Sequence, residues 1–306
     1  MKVLLTGSTG QLGQVLRRSL PQVIKDEPLE LIATSRQGGD GMIALDLGDG
    51  GACRAAVMEH RPDWVLNAGA YTAVDRAETD SELAHRVNGL APRAFAEALS
   101  STGGRLLQVS TDFVFSGDQG HPYQPEQARE PLGVYGGSKA LGEQAVEELL
   151  GFGSDGHGAI LRTSWVYGAV GKNFLLTMLR LHREKASQGE SLAVVADQVG
   201  CPTSTLGLAG ACGALIVRRL SGVLHWSDAG AASWYDFAVA IGELAQAKGL
   251  LEQPAPVRPL STKDYPTPAR RPAYSLLDCS SSREQLGLPA QHWRAALQEV
   301  IADVGA

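Results

Sequence analysis

Tyr135 and Lys139 stand four residues apart in the run Tyr135-Gly136-Gly137-Ser138-Lys139. On a helix that spacing puts a phenol and an ammonium on one face. A phenol with a free pKa of about 10 exchanges protons slowly at neutral pH, and an adjacent cation is expected to bring it into range. The pair alone is common on surface helices. Thr111 gives it direction: Ser110-Thr111-Asp112 follows the apolar run Arg105–Val109. A hydroxyl at the carboxyl end of a strand is placed to hydrogen-bond a substrate carbonyl beside the phenol. Asn67-Ala68-Gly69-Ala70 ends the preceding apolar run in the same crevice. Arg86-Val87-Asn88 precedes a helix, and its amide is a candidate member of a proton relay. These groups suit proton transfer to or from a carbonyl oxygen.

A second device lies at the start. Thr6-Gly7-Ser8-Thr9-Gly10-Gln11-Leu12-Gly13 separates an apolar run beginning at Lys2 from a helical pattern beginning at Gln14. Gly7 suits a tight turn, Gly10 a close approach of backbone to a pyrophosphate, and Gly13 the packing of helix on strand. The helix N-terminus then offers N–H groups and its positive dipole end to the phosphates. Sites for NAD usually carry Asp or Glu at the end of the second strand. Here that place, 35 − 13 = 22 residues beyond Gly13, holds Ser35-Arg36. A hydroxyl and a guanidinium suit a 2′-phosphate. NADPH is therefore expected in preference to NADH, with a merely solvated Arg36 as the competing reading.

The elements that must position these groups follow from periodicity. Lys2–Thr6, Leu29–Ser35, Trp64–Asn67, Arg105–Ser110 and Ala159–Ser164 read as buried strands. Helices are expected over Gln14–Leu20, stopped by Pro21, and over Ala52–Glu59, Ser81–Ser100 and Tyr135–Leu150, with a glycine-dense loop through Gly51. This alternation predicts an α/β fold: a Rossmann-type doubly wound parallel sheet, forming an NADP-binding domain over 1–168. Beyond Gly168 the alternation weakens. Helices are expected at Asn173–Arg183, Ser204–Arg219, Ser233–Lys248 and His292–Asp303, and Pro254–Pro272 reads as an irregular wrapped segment. Residues 169–306 are expected to form a smaller C-terminal substrate-binding lobe, interleaved with the sheet domain. Glu143, the Glu147-Glu148 pair and Asp264 read as solvated carboxylates.

Composition narrows the class. The chain has 306 residues, with 36 glycines, 15 prolines and no Gly-X-Y period, which excludes collagen. With 44% hydrophobic and 20% charged residues, disorder is excluded as well. The charge balance, 27 − 33 = −6, is spread along the chain with no basic, aromatic-rich stripe, so no nucleic acid partner is expected. No run of about 18 apolar residues exists, so no membrane span is expected. Met1–Gly7 leaves no room for the apolar stretch of a signal peptide. Cys53, Cys201, Cys212 and Cys279 lack C-x-x-C spacing and the histidines lack H-E-x-x-H spacing, so neither disulfides nor a metal site is expected. The expectation is a reduced, cytoplasmic protein.

The chain resembles the extended short-chain dehydrogenases/reductases, and several longer strings are similar to the dTDP-4-dehydrorhamnose reductase family in particular. They are Thr9-Gly10-Gln11-Leu12-Gly13, Thr72-Ala73-Val74-Asp75 with Ala77-Glu78, and Ser110-Thr111-Asp112-Phe113-Val114-Phe115. Arg162-Thr163-Ser164-Trp165-Val166-Tyr167, Asp197-Gln198-Val199-Gly200 and Tyr265-Pro266-Thr267-Pro268-Ala269 with Arg271-Pro272 complete the set. The resemblance implies an NADPH-dependent oxidoreductase of nucleotide-sugar and polysaccharide biosynthesis. Its reaction would reduce the C4 ketone of dTDP-4-dehydro-β-L-rhamnose to give dTDP-L-rhamnose.

Carried over by position, the resemblance makes Tyr135 the proton donor, Lys139 its electrostatic partner and Thr111 a third catalytic group. Gln11, Leu12, Asp46, Leu47, Ala70, Tyr71 and Thr72 would line the cofactor beside the glycines. Val74, Thr111, Asp112 and Trp165 would contact the sugar, although a tryptophan just past a buried strand is usually core. Arg271 would clamp the nucleotide's diphosphate or cap a helix. Some family members bridge a homodimer with magnesium through a glutamate early in the first helix. The matching place here reads Gln14-Val15-Leu16, which leaves magnesium and the dimer undecided. Two rivals stand beside this reading. One is a sugar-nucleotide epimerase or 4,6-dehydratase that retains NAD, although dehydratases carry Glu where this chain has Phe113. The other is a binding module similar to the regulatory subunit of methionine adenosyltransferase.

Overall fold

The structure, a computed structural model, describes residues 1–305. It opens with β1 (Lys2–Thr6), α1 (Gln11–Val23), β2 (Glu30–Ser35), β3 (Ile43–Ala44), α2 (Gly50–His60) and β4 (Trp64–Asn67). Next come α3 (Val74–Ala77), α4 (Ser81–His85), a π-helical turn at Arg86–Leu90, α5 (Ala91–Thr102), β5 (Arg105–Thr111), α6 (Val134–Leu150) and β6 (Gly158–Thr163). The chain continues through β7 (Val166–Tyr167), α7 (Phe174–Ser187), β8 (Leu192–Val195), β9 (Val199–Gly200), β10 (Thr203–Ser204), α8 (Thr205–Val217) and β11 (Gly222–His225). It ends with β12 (Ala232–Ser233), α9 (Trp234–Ala247), β13 (Val257–Leu260), α10 (Ser280–Leu286) and α11 (Trp293–Ala302).

Seven parallel strands form the main sheet in the order β11-β6-β5-β4-β1-β2-β3. Its central strands are apolar because both faces are covered: Val3, Leu4, Leu5, Val65 and Leu66 expose no surface. On one face Leu16 and Leu20 of α1 meet Leu208 and Leu215 of α8. On the other, Phe95 and Leu99 of α5 and Val146 of α6 cover Leu4, Val65 and Ile160. Each such buried aliphatic side chain contributes roughly 1.5–3 kcal/mol. The chain crosses to β4 on the far side of β1, which opens a crevice at the carboxyl ends where an α/β sheet takes its ligand. Register lines up the groups there, with Thr6 opposite Asn67 and Thr111 opposite Thr163.

Several expectations are corrected. Pro21 does not stop α1, which runs to Val23; it lies in the last turn, where the lost N–H breaks one bond to Arg17 and Ile24 still donates to Leu20. The glycine-dense loop contains β3, paired to β2 through Thr34 and Ser35. Arg86-Val87-Asn88 precedes α5, as expected, and is itself helical, opening the π turn that joins α4 to α5. Pro254–Pro272 is not wholly irregular, since β13 pairs with β8 and Pro259 tolerates this on a two-stranded edge. Finally, α8 and β11 lie beyond residue 168 yet join the main sheet and its core. We therefore propose a sheet lobe of 1–168 plus 205–226. The remaining lobe has its own core of Phe237, Ile241, Trp293 and Leu297, which Tyr167 of the sheet lobe joins. Among the described residues no helix is long and apolar enough to cross a membrane.

Candidate active site

The turn after β1 is shaped by close approach. Gly7 has φ of 66°, and a Cβ there would stand 2.6 Å from the Gly69 Cα. A Cβ at Gly13 would overlap the Gly7 carbonyl, so only glycine lets α1 seat against the strand end. Gly10 donates to Gly7 at 2.9 Å and begins α1 with no side-chain cap and no acidic residue in the first turn. The positive end of the helix therefore faces the crevice uncompensated. These features fit the diphosphate of a dinucleotide.

Above this turn lies a cleft of 540 Å³. Of the residues expected at the cofactor, Gly7, Gly10, Gln11, Leu12, Gly13, Ser35, Arg36, Leu47, Ala70, Thr72, Tyr135 and Lys139 line it. No acidic side chain is among its lining residues, in a chain of net charge −6. Asp46 and Tyr71 do not reach it. The Asp46 carboxylate accepts from the Gly48 N–H at 2.8 Å and faces Arg36 at 3.7 Å. The Tyr71 hydroxyl donates to Asp80, while its backbone N–H and carbonyl are both held by the Asn88 amide. That amide also donates to Ser138 Oγ at 3.0 Å. Asn88 is thereby spent on bracing β4's loop against α6, not on a proton relay.

Tyr135 lies on the first turn of α6 with its ring edge-on to Phe113, centroids 5.6 Å apart. Thr111 is its polar neighbour. Burial, with the charge of Asp112, pushes the phenol up to about 12, against the Thr111 hydroxyl, which works to lower it. This corrects the expectation that Lys139 lowers it. The Lys139 ammonium donates instead to the Val109 carbonyl at 2.6 Å, and burial pulls it down to about 8. Thr111 Oγ1 lies 3.0 Å from Asp112 Oδ1 and accepts from the Phe113 N–H. Asp112 itself is 1% exposed and does not line the cleft; burial pushes its carboxyl up to about 6.

The expected sugar-side residues disperse. Val74 lines a small hollow beside Tyr135 with Phe113, Arg270 and Pro272. Arg271 forks onto Asp75 with two hydrogen bonds of 2.9 Å and donates to Thr267 at 2.6 Å. It ties the 267–272 loop to α3 and caps no helix. Trp165 has a left-handed φ of 47°, stacks on Trp234 at 3.6 Å, and does not line the cleft. Glu143 is not solvated. It is fully buried, gripped by Arg162 and Arg129, each at 2.7 Å. Burial works against its charge, but Arg162 outweighs it and holds the carboxyl below the usual range.

Lining residues to which the sequence reading assigns no role include Ser110, Thr163, Val166 and Lys172, with Leu45, Gly171 and Leu208. The pairing of β5 with β6 brings Thr163 to the rim, a register that no local pattern announces. Lys172 sits in a loop with no motif around it.

The RmlD substrate binding domain family matches residues 1–306. A dTDP-4-dehydrorhamnose reductase of Streptomyces griseus is 40% identical over 301 residues, 97% of this chain and 91% of that protein. A probable dTDP-4,6-dihydroxy-2-methyloxan-3-one 4-ketoreductase of Streptomyces antibioticus is 39% identical, covering 99% of this chain and 96% of its own length. The crystal structure of dTDP-4-dehydrorhamnose reductase from Bacillus anthracis in complex with NADP superposes with a TM-score of 0.86 at 33% identity, covering 99% of both chains.

Proposed function

This chain belongs to the dTDP-4-dehydrorhamnose reductase family, and we propose that it reduces the C4 ketone of dTDP-4-dehydro-β-L-rhamnose to dTDP-L-rhamnose. The observation that carries the reading is the phenol of Tyr135 beside Thr111 at the edge of an acid-free cleft over an uncapped helix. Bound NADPH supplies the hydride to the ketone carbon. The Thr111 hydroxyl holds the ketone oxygen, and Tyr135 gives its proton to that oxygen as negative charge develops there. A phenol near 12 stays protonated at neutral pH, as a donor in the reducing direction must. Lys139, one helical turn on, is held on the Val109 carbonyl at the end of β5, and solvent reprotonates the phenolate left behind. Ser35 and Arg36 at the end of β2 take the 2′-phosphate. Four buried, unpaired cysteines suit the reducing cytoplasm.

Purified protein supplied with dTDP-4-dehydrorhamnose should oxidise one equivalent of NADPH per sugar and release dTDP-rhamnose. Tightly retained NAD with no net oxidation of NADPH would overturn the reading in favour of an epimerase or dehydratase. A second reading, reduction of a different dTDP-4-keto sugar, is favoured by the Streptomyces antibioticus relative. Comparing kcat/KM for the two sugars separates them.

A further inference from the structure

Three cations line the cleft: Arg36, Lys139 and Lys172. Two are engaged, Lys139 with the Val109 carbonyl and Arg36 with Asp46. We propose that Lys172, reaching in from the second lobe, is a cofactor-binding residue whose ammonium contacts the dinucleotide diphosphate. The inference rests on the NADPH reading above.

The loop that carries Lys172 is latched onto the phosphate turn. Gln11, the first residue of α1, donates to the Val166 carbonyl at 3.1 Å. The Asn173 amide donates back to Gln11 Oε1 at 3.1 Å and to the carbonyls of Gly168 and Val170 at 2.9 and 3.1 Å. Its oxygen accepts from the Leu176 N–H and caps α7. Gly171 has φ of 84° and lies beside Gln11, where a Cβ would make ordinary contact with the Gln11 Cβ at 3.4 Å. Lys172 is thus held over the end of α1 that receives the diphosphate, on a loop with a defined shape. It makes no ion pair or hydrogen bond among the described residues, and no acid lines the cleft to neutralise it. An ammonium so placed, with the helix dipole beneath it, adds to one positive field.

Arg36 and Lys172 divide the anion between them. Arg36 stands at the end of β2, where the 2′-phosphate belongs. Lys172 stands over Gln11, where the phosphates are shared by NADPH and NADH. The two assignments predict different selectivities.

Titrating NADPH and NADH into wild type, Lys172→Ala, Lys172→Arg and Arg36→Ala, with cofactor fluorescence as the readout, tests this. Lys172→Ala should weaken both nucleotides by about tenfold, as loss of a charge-assisted contact does. The loss should shrink as salt rises, and Lys172→Arg should recover most of the affinity. Arg36→Ala should weaken NADPH alone. The melting temperature of ligand-free Lys172→Ala should match wild type, because the side chain holds nothing in place. Unchanged affinity for both nucleotides in Lys172→Ala overturns the proposal. So does a loss confined to NADPH, which would put Lys172 on the 2′-phosphate. If wild type binds neither nucleotide, the reductase reading fails first, and Lys172 falls with it.

Discussion

The two ends of the cleft are built on different plans. The nucleotide end is backbone: Gly7, Gly10 and Gly13 bring main chain and an uncapped helix to the ligand, and the side-chain positions of Gly7 and Gly13 are blocked. The residues expected to face the sugar are braced side chains, and of them only Tyr135 lines the cleft. Tyr135 leans on Phe113 and Thr111, Thr111 on Asp112, Trp165 on Trp234, and Arg271 on Asp75. A backbone site has nothing to titrate and fails by steric overlap. A braced side-chain site titrates, and each member fails through its partner. The plan at each end thus determines which substitutions break it and which readout reports the damage.

The largest effect belongs to the sugar end. Tyr135→Phe should lower kcat by about 10²–10⁴-fold, the usual worth of a positioned acid. The Kd for NADPH should stay near the wild-type value. Retained turnover in that variant would remove the phenol from the mechanism. Next is Asp112→Asn. The folded carboxyl sits at about 6, above its ordinary 3.8, so the fold favours the protonated form. Its favourable contribution is complete below 3.8 and is lost as pH rises through about 6. The asparagine variant, neutral throughout, should therefore gain about 3 kcal/mol of relative stability at pH 8 over pH 4. Urea unfolding at the two pH values measures this, and an equal offset at both would refute the buried charge. Third comes the nucleotide end. Gly13→Ala overpacks against Gly7 and Ser8, and should cost about 1–3 kcal/mol in NADPH binding. The kcat at saturating cofactor should change little, and its effect should be flat with pH.

This difference also governs what can be read without a structure. The nucleotide end is legible because its parts are consecutive: a strand, three glycines and a helix define it within residues 2–23. The Tyr135–Lys139 pair is legible through helical spacing. Five of the seven main-sheet strands are legible because buried parallel strands are continuous apolar runs, whereas β3 and β11, of two and four residues, do not announce themselves. The residues expected at the sugar come from segments near 75, 112, 165 and 271, and their placement depends on register and lobe packing. Asp75 and Arg271 are 196 residues apart yet share two hydrogen bonds. Glu143 shows the same limit on a helix that is otherwise easy to place. Its burial depends on Arg162 arriving from β6 and Arg129 from a loop, which no periodicity announces. The shift of Tyr135 is hidden for a related reason, since i,i+4 spacing brings Lys139 to the right face but not its ammonium to the phenol. Lys139 bonds the end of β5 instead.

The smallest expected effect tests that sugar-end brace most directly. Arg271→Lys keeps the charge and loses the fork that grips Asp75. The pair is partly exposed, at 23% and 42%, where such bridges are worth at most about 1 kcal/mol. The KM for the sugar should therefore rise by no more than about fivefold, as the 267–272 loop loosens beside Val74 and Tyr135. The same loss should follow from Asp75→Asn, and the double variant should add nothing, because the two residues act as one unit. The hydrogen bond from Arg271 holds the Asp75 carboxyl below its ordinary 3.8. The bridge is then complete above that value and is lost only as pH falls through the lowered one, so the KM penalty should be constant from pH 5 to 9. A rise in the Kd for NADPH, or a KM penalty additive in the double variant, would instead make Arg271 a direct ligand of a diphosphate. The contrast between a backbone end and a braced end would then have to be redrawn.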